Sequence, residues 1–194
     1  MLSKGNHLSL HKILGMLRNI FFVLFLAGIL IPVSAQMDAA YTRDNGPISK
    51  ESLLTEKWYY GLKDALSAPP GTVYKMSLRG NKIRKLTPEI AKLYNLQILI
   101  LNDCKLKSLP DEIGQLKNLQ ELIVFKNKLV TLPENVGSLR HLEVLLASRN
   151  RLIYLPSSLR TLENLRKLDI SYNQLSPKEV DDTVEALPDT QITY

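Results

Sequence analysis

Apolar residues return along the middle of this chain at a fixed interval. Aligned from Val73, Leu96, Leu119, Leu142 and Leu165, successive segments start 23 residues apart. The second reads LQILILNDCKLKSLPDEIGQLKN, the third LQELIVFKNKLVTLPENVGSLRH and the fourth LEVLLASRNRLIYLPSSLRTLEN. The first, VYKMSLRGNKIRKLTPEIAKLYN, is a looser copy, and the fifth, LRKLDISYNQL, stops at Leu175. Each period changes character partway. Its opening alternates, as in Leu119, Leu122 and Val124, which predicts a short strand with one face buried. Its second part spaces apolar residues at Leu132, Val136 and Leu139, a helix-like or turn-like pattern, and Pro133 disfavours a strand there. One period cannot bury its own apolar face, whereas stacked periods can. The pattern therefore predicts an α/β solenoid over residues 73–175. A parallel sheet would form its concave face and short helical or irregular turns its convex face.

Both ends of such a stack need covers. Leu54, Trp58, Leu62, Ala65 and Leu66 recur at helical spacing. Ser49 has the form of an N-cap, with Glu51 in the first turn, and Pro69-Pro70-Gly71 stops the helix. Residues 49–72 are thus expected to form a helical amino-terminal cap. An aromatic-rich capping helix accounts for Trp58, Tyr59 and Tyr60 more simply than a binding site does. At the other end, Ser176-Pro177-Lys178-Glu179 has the form of a capping box with Pro at the first helical position. Val180, Val184 and Leu187 give that helix one apolar face. Pro188 ends it, and Gln191 to Tyr194 can add a last short strand, completing a cap over 176–194. The expectation is one capped solenoid without a separate effector or enzyme domain.

The common frame is L-x-x-L-x-L-x-x-N/C-x-L followed by x-x-L-P-x-x-I-x-x-L-x-N. It resembles the leucine-rich repeat family, and its L-P-x-x-I half is similar to the Ras-group type found in plants and bacteria. The resemblance covers about half the chain, 73–175, without an insertion. It implies a leucine-rich repeat solenoid and a binding role, with the ligand set by the variable positions. Position nine holds Asn81, Cys104, Asn127, Asn150 and Asn173. An Asn there can donate to and accept from backbone groups that a tight corner leaves unpaired, so this row reads as structural. Cys104 is the only cysteine and occupies a slot where the family pattern accepts Cys. It reads as a repeat residue rather than a reactive thiol.

Ahead of the cap, Ile20 to Val33 is a 14-residue apolar run preceded by Arg18 and followed by Val33-Ser34-Ala35. That order of charge, apolar run and small residues predicts a cleaved signal peptide over 1–35 and export to a periplasmic, cell-surface or extracellular location. A start at Met16 would give a leader of more ordinary length. The run is short for a span, which needs about 20 residues. An uncleaved membrane anchor is the alternative, and membrane contact is expected only in that case. Residues 36–48, with a turn at Asn45-Gly46-Pro47, read as a polar linker. The whole chain has a net charge of +6. Losing Lys4, Lys12 and Arg18 from its 25 basic residues leaves 22 against 19 acids, or +3. The basic balance then gives little reason to expect nucleic acid.

Solvent-facing positions on the sheet are expected at three, five and seven of each repeat. The central repeats place Ile98, Ile100, Ile123, Phe125, Val144 and Leu146 there, with charged or polar residues such as Lys75, Arg79, Lys167 and Asp169 at either end. A contiguous apolar patch of this kind marks a candidate protein-binding face, with self-association as a variant. β-Branched residues chosen only as good strand formers are the competing explanation. Position ten reads Lys82, Lys105, Lys128 and Arg151, a basic ladder. It would either attract an anionic glycan, lipid headgroup or acidic protein, or serve as a solvated edge. No catalytic, metal or cofactor signature accompanies these surfaces. His141 sits in a slot that is Asn in other repeats, and Asp111-Glu112 and Asp181-Asp182 read as solvated helix charges. The expected function is therefore a non-catalytic protein-binding scaffold. Recognition of anionic envelope components and structural self-association are the alternatives.

Overall fold

The computed structural model describes residues 46–69 and 71–194. The expected leader, its expected cleavage site and most of the expected linker lie outside the described residues. Within each repeat, three residues starting at position three form a strand. These are β2 (Lys75–Ser77), β3 (Ile98–Ile100), β4 (Glu121–Ile123), β5 (Val144–Leu146) and β6 (Lys167–Asp169). Each cap adds one more, β1 (Trp58–Tyr59) and β7 (Gln191–Thr193). All seven strands pair in parallel in sequence order, forming one open sheet. The absence of insertions puts equivalent repeat positions opposite one another: Lys75, Ile98, Glu121, Val144 and Lys167 share one register position. The ladder continues past the strands, with Leu101 N–H donating to Ile123 O at 2.7 Å and Val124 N–H to Leu146 O at 2.8 Å.

Behind the sheet lies the core. Leu99, Leu122, Leu145 and Leu168 fill position four and are fully buried, with Met76 in the same slot of the first repeat. The far side of each repeat is a five-residue 3-10 helix: Pro88–Lys92, Asp111–Gln115, Glu134–Ser138 and Ser157–Thr161. Pro110, Pro133 and Pro156 stand at the N-caps of the last three, in extended conformation. Proline cannot donate into a ladder, so a strand cannot continue there. Glu134 supplies the cap that Pro156 lacks, accepting from the amides of Ser157 at 3.1 Å and Ser158 at 3.0 Å. Those bonds, the Ser158 amide foremost, hold its carboxyl below the usual range. The 3-10 helices stack so closely that a Cβ on Gly137 would lie 2.6 Å from the Ser158 carbonyl oxygen.

Position nine ties each repeat to the one before it. Asn127 Oδ1 accepts from the amides of Cys104 and Leu106, both at 3.0 Å. Its Nδ2 donates to Leu101 O and Val124 O, both at 2.8 Å. Asn150 and Asn173 repeat the pattern, accepting from Leu129 N–H and Leu152 N–H. Cys104 retains one part of this role, its thiol donating to Leu78 O at 2.8 Å. Asn81, at the end of the row, is exposed and donates only to Tyr60 O, at 3.4 Å. Position eight carries a feature absent from the sequence reading: Asp103, Lys126, Arg149 and Tyr172 all adopt left-handed backbone (φ 54–58°), in the slot where the first repeat has Gly80.

The caps differ from expectation in detail. The amino-terminal cap is two short helices, α1 (Lys50–Thr55) and α2 (Leu62–Ser67), with β1 between them. Trp58 and Tyr59 extend the sheet instead of continuing a helix. Backbone pairing with the open edge of β2 satisfies donors that a capping helix would leave bare. Ser49 does cap α1, accepting from Ser52 N–H. At the other end, α3 (Pro177–Ala186) starts as expected, with Ser176 Oγ accepting from Glu179 N–H at 3.1 Å. The capping box is only half made, because the Glu179 carboxylate reaches the Leu155 amide at 2.9 Å. Thr183 and Leu187 form the buried face, while Val184 is exposed.

Asn127→Ala removes five bonds to main-chain groups at a buried corner and is expected to lower stability by about 2–4 kcal/mol, measured by thermal melting. Cys104→Asn, which restores the missing amide, is expected to leave the melting temperature unchanged or raise it. Gly137→Ala forces apart two 3-10 helices and is expected to cost about 1–3 kcal/mol in the same assay.

Candidate functional site

Adjacent strands lie roughly 4.8 Å apart, and side chains alternate across the sheet. Positions three and five therefore form two rows on the face opposite the core. Row three runs Lys75, Ile98, Glu121, Val144, Lys167, and row five runs Ser77, Ile100, Ile123, Leu146, Asp169. The register thus brings Ile98, Ile100, Ile123, Val144 and Leu146 onto one surface, each half-buried. Phe125, at position seven, is also half-buried and lies beyond the end of β4.

Position seven is uneven as a third outward row: Arg79 is exposed, and Phe125 and Ser171 are half-buried. Asn102 and Ser148 are buried there. By that point the chain has left the strand and is entering the left-handed residue at position eight, so strict alternation no longer applies. Asn102 Oδ1 and Gln97 Oε1 are the buried side-chain oxygens without a hydrogen-bond partner among the described residues.

The polar border at the amino-terminal end also differs from expectation. Lys75 is only 4% exposed. Its ammonium donates to Leu54 O at 3.3 Å and lies 5.3 Å from the centre of the Trp58 ring. At the other end of α1, Lys50 Nζ pairs with Glu143 Oε2 at 2.9 Å. The Glu143 hydrogen bond and charge, with Glu121 and Glu51 beyond, raise the Lys50 pKa above its ordinary value. One end of α1 thus contacts the first repeat and the other the fourth. The helix therefore crosses the strands on the side where row three emerges. Leu53, between the two contacts, is 7% exposed yet lies outside the core cluster, and Leu54 turns outward at 82%. Leucine at helical spacing announced a core-facing stripe in the sequence. Its actual surroundings depend on a contact 93 residues away.

On the flank after position nine, Lys82, Lys105, Lys128 and Arg151 are all exposed and stand one repeat apart. Lys105 alone of the four has left-handed backbone (φ 62°). Position eight adds Lys126, paired with Asp103 Oδ2 at 2.9 Å, and Arg149, whose guanidinium lies 5.0 Å from the Tyr172 ring centre. The glycine in that slot of the first repeat was the only sequence signal for this row. Cys104 is buried, and burial pushes its thiol pKa up, in keeping with a packing role. Among the described residues no group of His, Cys, Asp and Glu is arranged to hold a metal ion. No described helix is long and apolar enough to cross a membrane. His141 lines a polar surface groove with Lys117, Arg140 and Glu163.

Leu53→Asp is expected to unseat α1 without disturbing the repeats. Trp58, the only tryptophan, should then emit at longer wavelength and segment 46–56 should be cut faster by protease, while the main melting transition stays in place. Unchanged emission and cleavage would mean that Leu53 does not anchor the helix.

A family profile described as "Leucine-rich repeat region" matches residues 75–191. Curated proteins gave no match to the chain. Among solved structures, a leucine-rich repeat protein of Leptospira interrogans is 38% identical with a TM-score of 0.63. The match covers 64% of this chain and 32% of that one, so the present chain spans about a third of its relative's length. A complex of TLR13 with ssRNA13 is similar at 24% identity and TM-score 0.60, covering 70% of this chain and 20% of that one. The BIR3–SERK2 complex of Arabidopsis thaliana matches at 28% identity and TM-score 0.45, covering 50% of this chain and 56% of that one. Those two chains are similar to part of the stack and say nothing of its ligand. With the family profile spanning most of the described residues and the strands repeating in its register, this chain belongs to the leucine-rich repeat family.

Proposed function

We propose that this protein is a non-catalytic scaffold that binds a protein partner through the exposed face of its sheet. The family is typically one of interaction scaffolds without catalysis. The observation that carries the reading is the pair of in-register rows that gather Ile98, Ile100, Ile123, Val144 and Leu146 on the non-core face. Phe125 extends this surface at the strand ends. Apolar side chains held on a rigid sheet lose little freedom on binding, which reduces the ordering cost that association must offset. The polar limits of the patch, Asp169 and Lys167 on one side and Glu121 within it, would set orientation more than strength.

The same reading places the protein outside the cytoplasm, with 1–35 removed as a leader and the solenoid released. Retention of Ile20–Val33 as an anchor would leave the sheet face equally accessible. No cofactor enters this function, and its 23-residue repeat type fits a bacterial exported protein.

α1 bears on the proposal because it already occupies the row-three side. A partner would either dock on row five and Phe125 beside it, or displace it. The test is capture of partners from envelope and extracellular fractions with the intact chain, alongside Ile123→Glu/Phe125→Ala. A protein retained by the native chain and weakened at least about tenfold by the double substitution supports the site. Equal capture by the two chains, with the variant folded by circular dichroism, would rule this face out.

A further inference from the structure

The flank that follows position nine is a second built surface, and its chemistry differs from that of the sheet. Positions ten and twelve flank an apolar residue that packs into the core at eleven, and their residues are exposed in all four repeats. Row ten is Lys82, Lys105, Lys128, Arg151, and row twelve is Arg84, Lys107, Val130, Ile153. Backbone hydrogen bonds fix the rows from repeat to repeat. Lys128 N–H donates to Leu106 O at 2.8 Å, Arg151 N–H to Leu129 O at 2.9 Å and Ile153 N–H to Val130 O at 3.2 Å. The flank is therefore a grid whose backbone is held from repeat to repeat.

Two independent features of this grid need a common explanation. The first is charge without neutralisation. The ion pairs among the described residues are Lys50–Glu143, Lys92–Glu89, Lys126–Asp103 and Lys178–Asp182, and none uses a cation of the grid. No acid occupies position ten or twelve in these four repeats. The second is a set of exposed apolar residues in row twelve and next to it. Val130 is 45% exposed, Ile153 49% and Tyr154 49%, more open to solvent than any residue of the sheet patch. A solvated edge explains the cations but not three adjacent large apolar side chains. A soluble polyanion would likewise leave them idle.

We infer that this flank binds the surface of an anionic lipid bilayer. The Lys and Arg ammonium and guanidinium groups would lie at the level of acidic headgroups, where each adds to binding by electrostatic attraction. Val130, Ile153 and the ring of Tyr154 would enter the boundary between headgroups and acyl chains. Tyrosine suits that depth because its ring is apolar and its hydroxyl stays wet. The acidic helix α3 marks the end of the grid, since Glu179 already reaches Leu155 in the fourth repeat. Binding would thus be peripheral, through the first four repeats, and would leave the opposed sheet rows free for a protein.

Whole-chain sedimentation with vesicles is not a clean test, because Ile20–Val33 is itself apolar. A local probe separates the two. Thr131→Cys puts an attachment point next to Val130 of row twelve, and buried Cys104 should stay unlabelled in the folded chain. An environment-sensitive dye at 131 is expected to shift to shorter wavelength with phosphatidylcholine–phosphatidylglycerol vesicles and not with phosphatidylcholine alone. Brominated acyl chains should quench it. Lys105→Glu/Lys128→Glu should raise the anionic lipid needed for the half-maximal shift roughly tenfold or more, and added salt should do the same. Ile153→Asp/Tyr154→Ser should abolish the shift and the quenching. Lys105, Lys128, Ile153 and Tyr154 are exposed, so their substitution should leave circular dichroism melting unchanged, with Thr131→Cys alone as the reference because Thr131 is half-buried. Equal shifts with neutral and anionic vesicles, or no shift with either, would overturn the inference. A shift produced by soluble heparin but not by vesicles would replace it with polyanion binding.

Discussion

The carboxamide at position nine is the bond on which the stack depends. A chain that turns a corner every 23 residues leaves main-chain donors and acceptors at each corner, away from water. Leucine supplies the driving force for stacking but cannot satisfy those groups. One Asn side chain can, because it carries two donors and an acceptor on a short arm. Asn127 spends all of them on two successive repeats, so the corner of one is finished only when the next is in place. This links local chain geometry to long-range order more directly than the core does. Where the slot is Cys104, the first corner closes on itself instead, with Ile83 N–H donating to Asn81 O at 2.7 Å.

Much of this architecture was legible in the sequence because it is periodic. Leu99, Leu122, Leu145 and Leu168 share one environment, so the pattern carries the same information several times over. The strand register, the turn opposite each strand and the asparagine row all follow from that redundancy. What escaped were features set by one contact each. Trp58 and Tyr59 lie in a helix-like apolar pattern, yet an open strand edge draws them into the sheet. Lys75 looked like a border residue until α1 was seen to lie over it. The third outward row is uneven, with Asn102 and Ser148 buried, Arg79 exposed, Phe125 and Ser171 half-buried, and a left-handed residue after each. Propensity offered no warning there, since Asp, Lys, Arg and Tyr take the place of the first repeat's glycine.

The candidate surfaces divide in the same way. The apolar rows of the sheet were readable from alternation, and the basic ladder from its period. Their geometry was not. Sequence spacing says which residues share a row, while neighbouring elements decide how much of the row remains open. Row three lies beside a helix from the cap, whereas the flank rows stay exposed among the described residues. Val130, Ile153 and Tyr154 drew no notice in the sequence because they break no rule of the repeat. They become informative only as an exposed cluster beside unpaired cations.

Each described repeat bonds chiefly to the one on either side, through the ladder, the asparagine and the stacked 3-10 helices. A tensile load on the two ends would therefore meet one interface at a time. The solenoid should yield by peeling its end units in sequence, at a nearly constant force, and shorten again by the reverse route. Such a body responds to pulling more like an extensible tether than like a globule that ruptures at once.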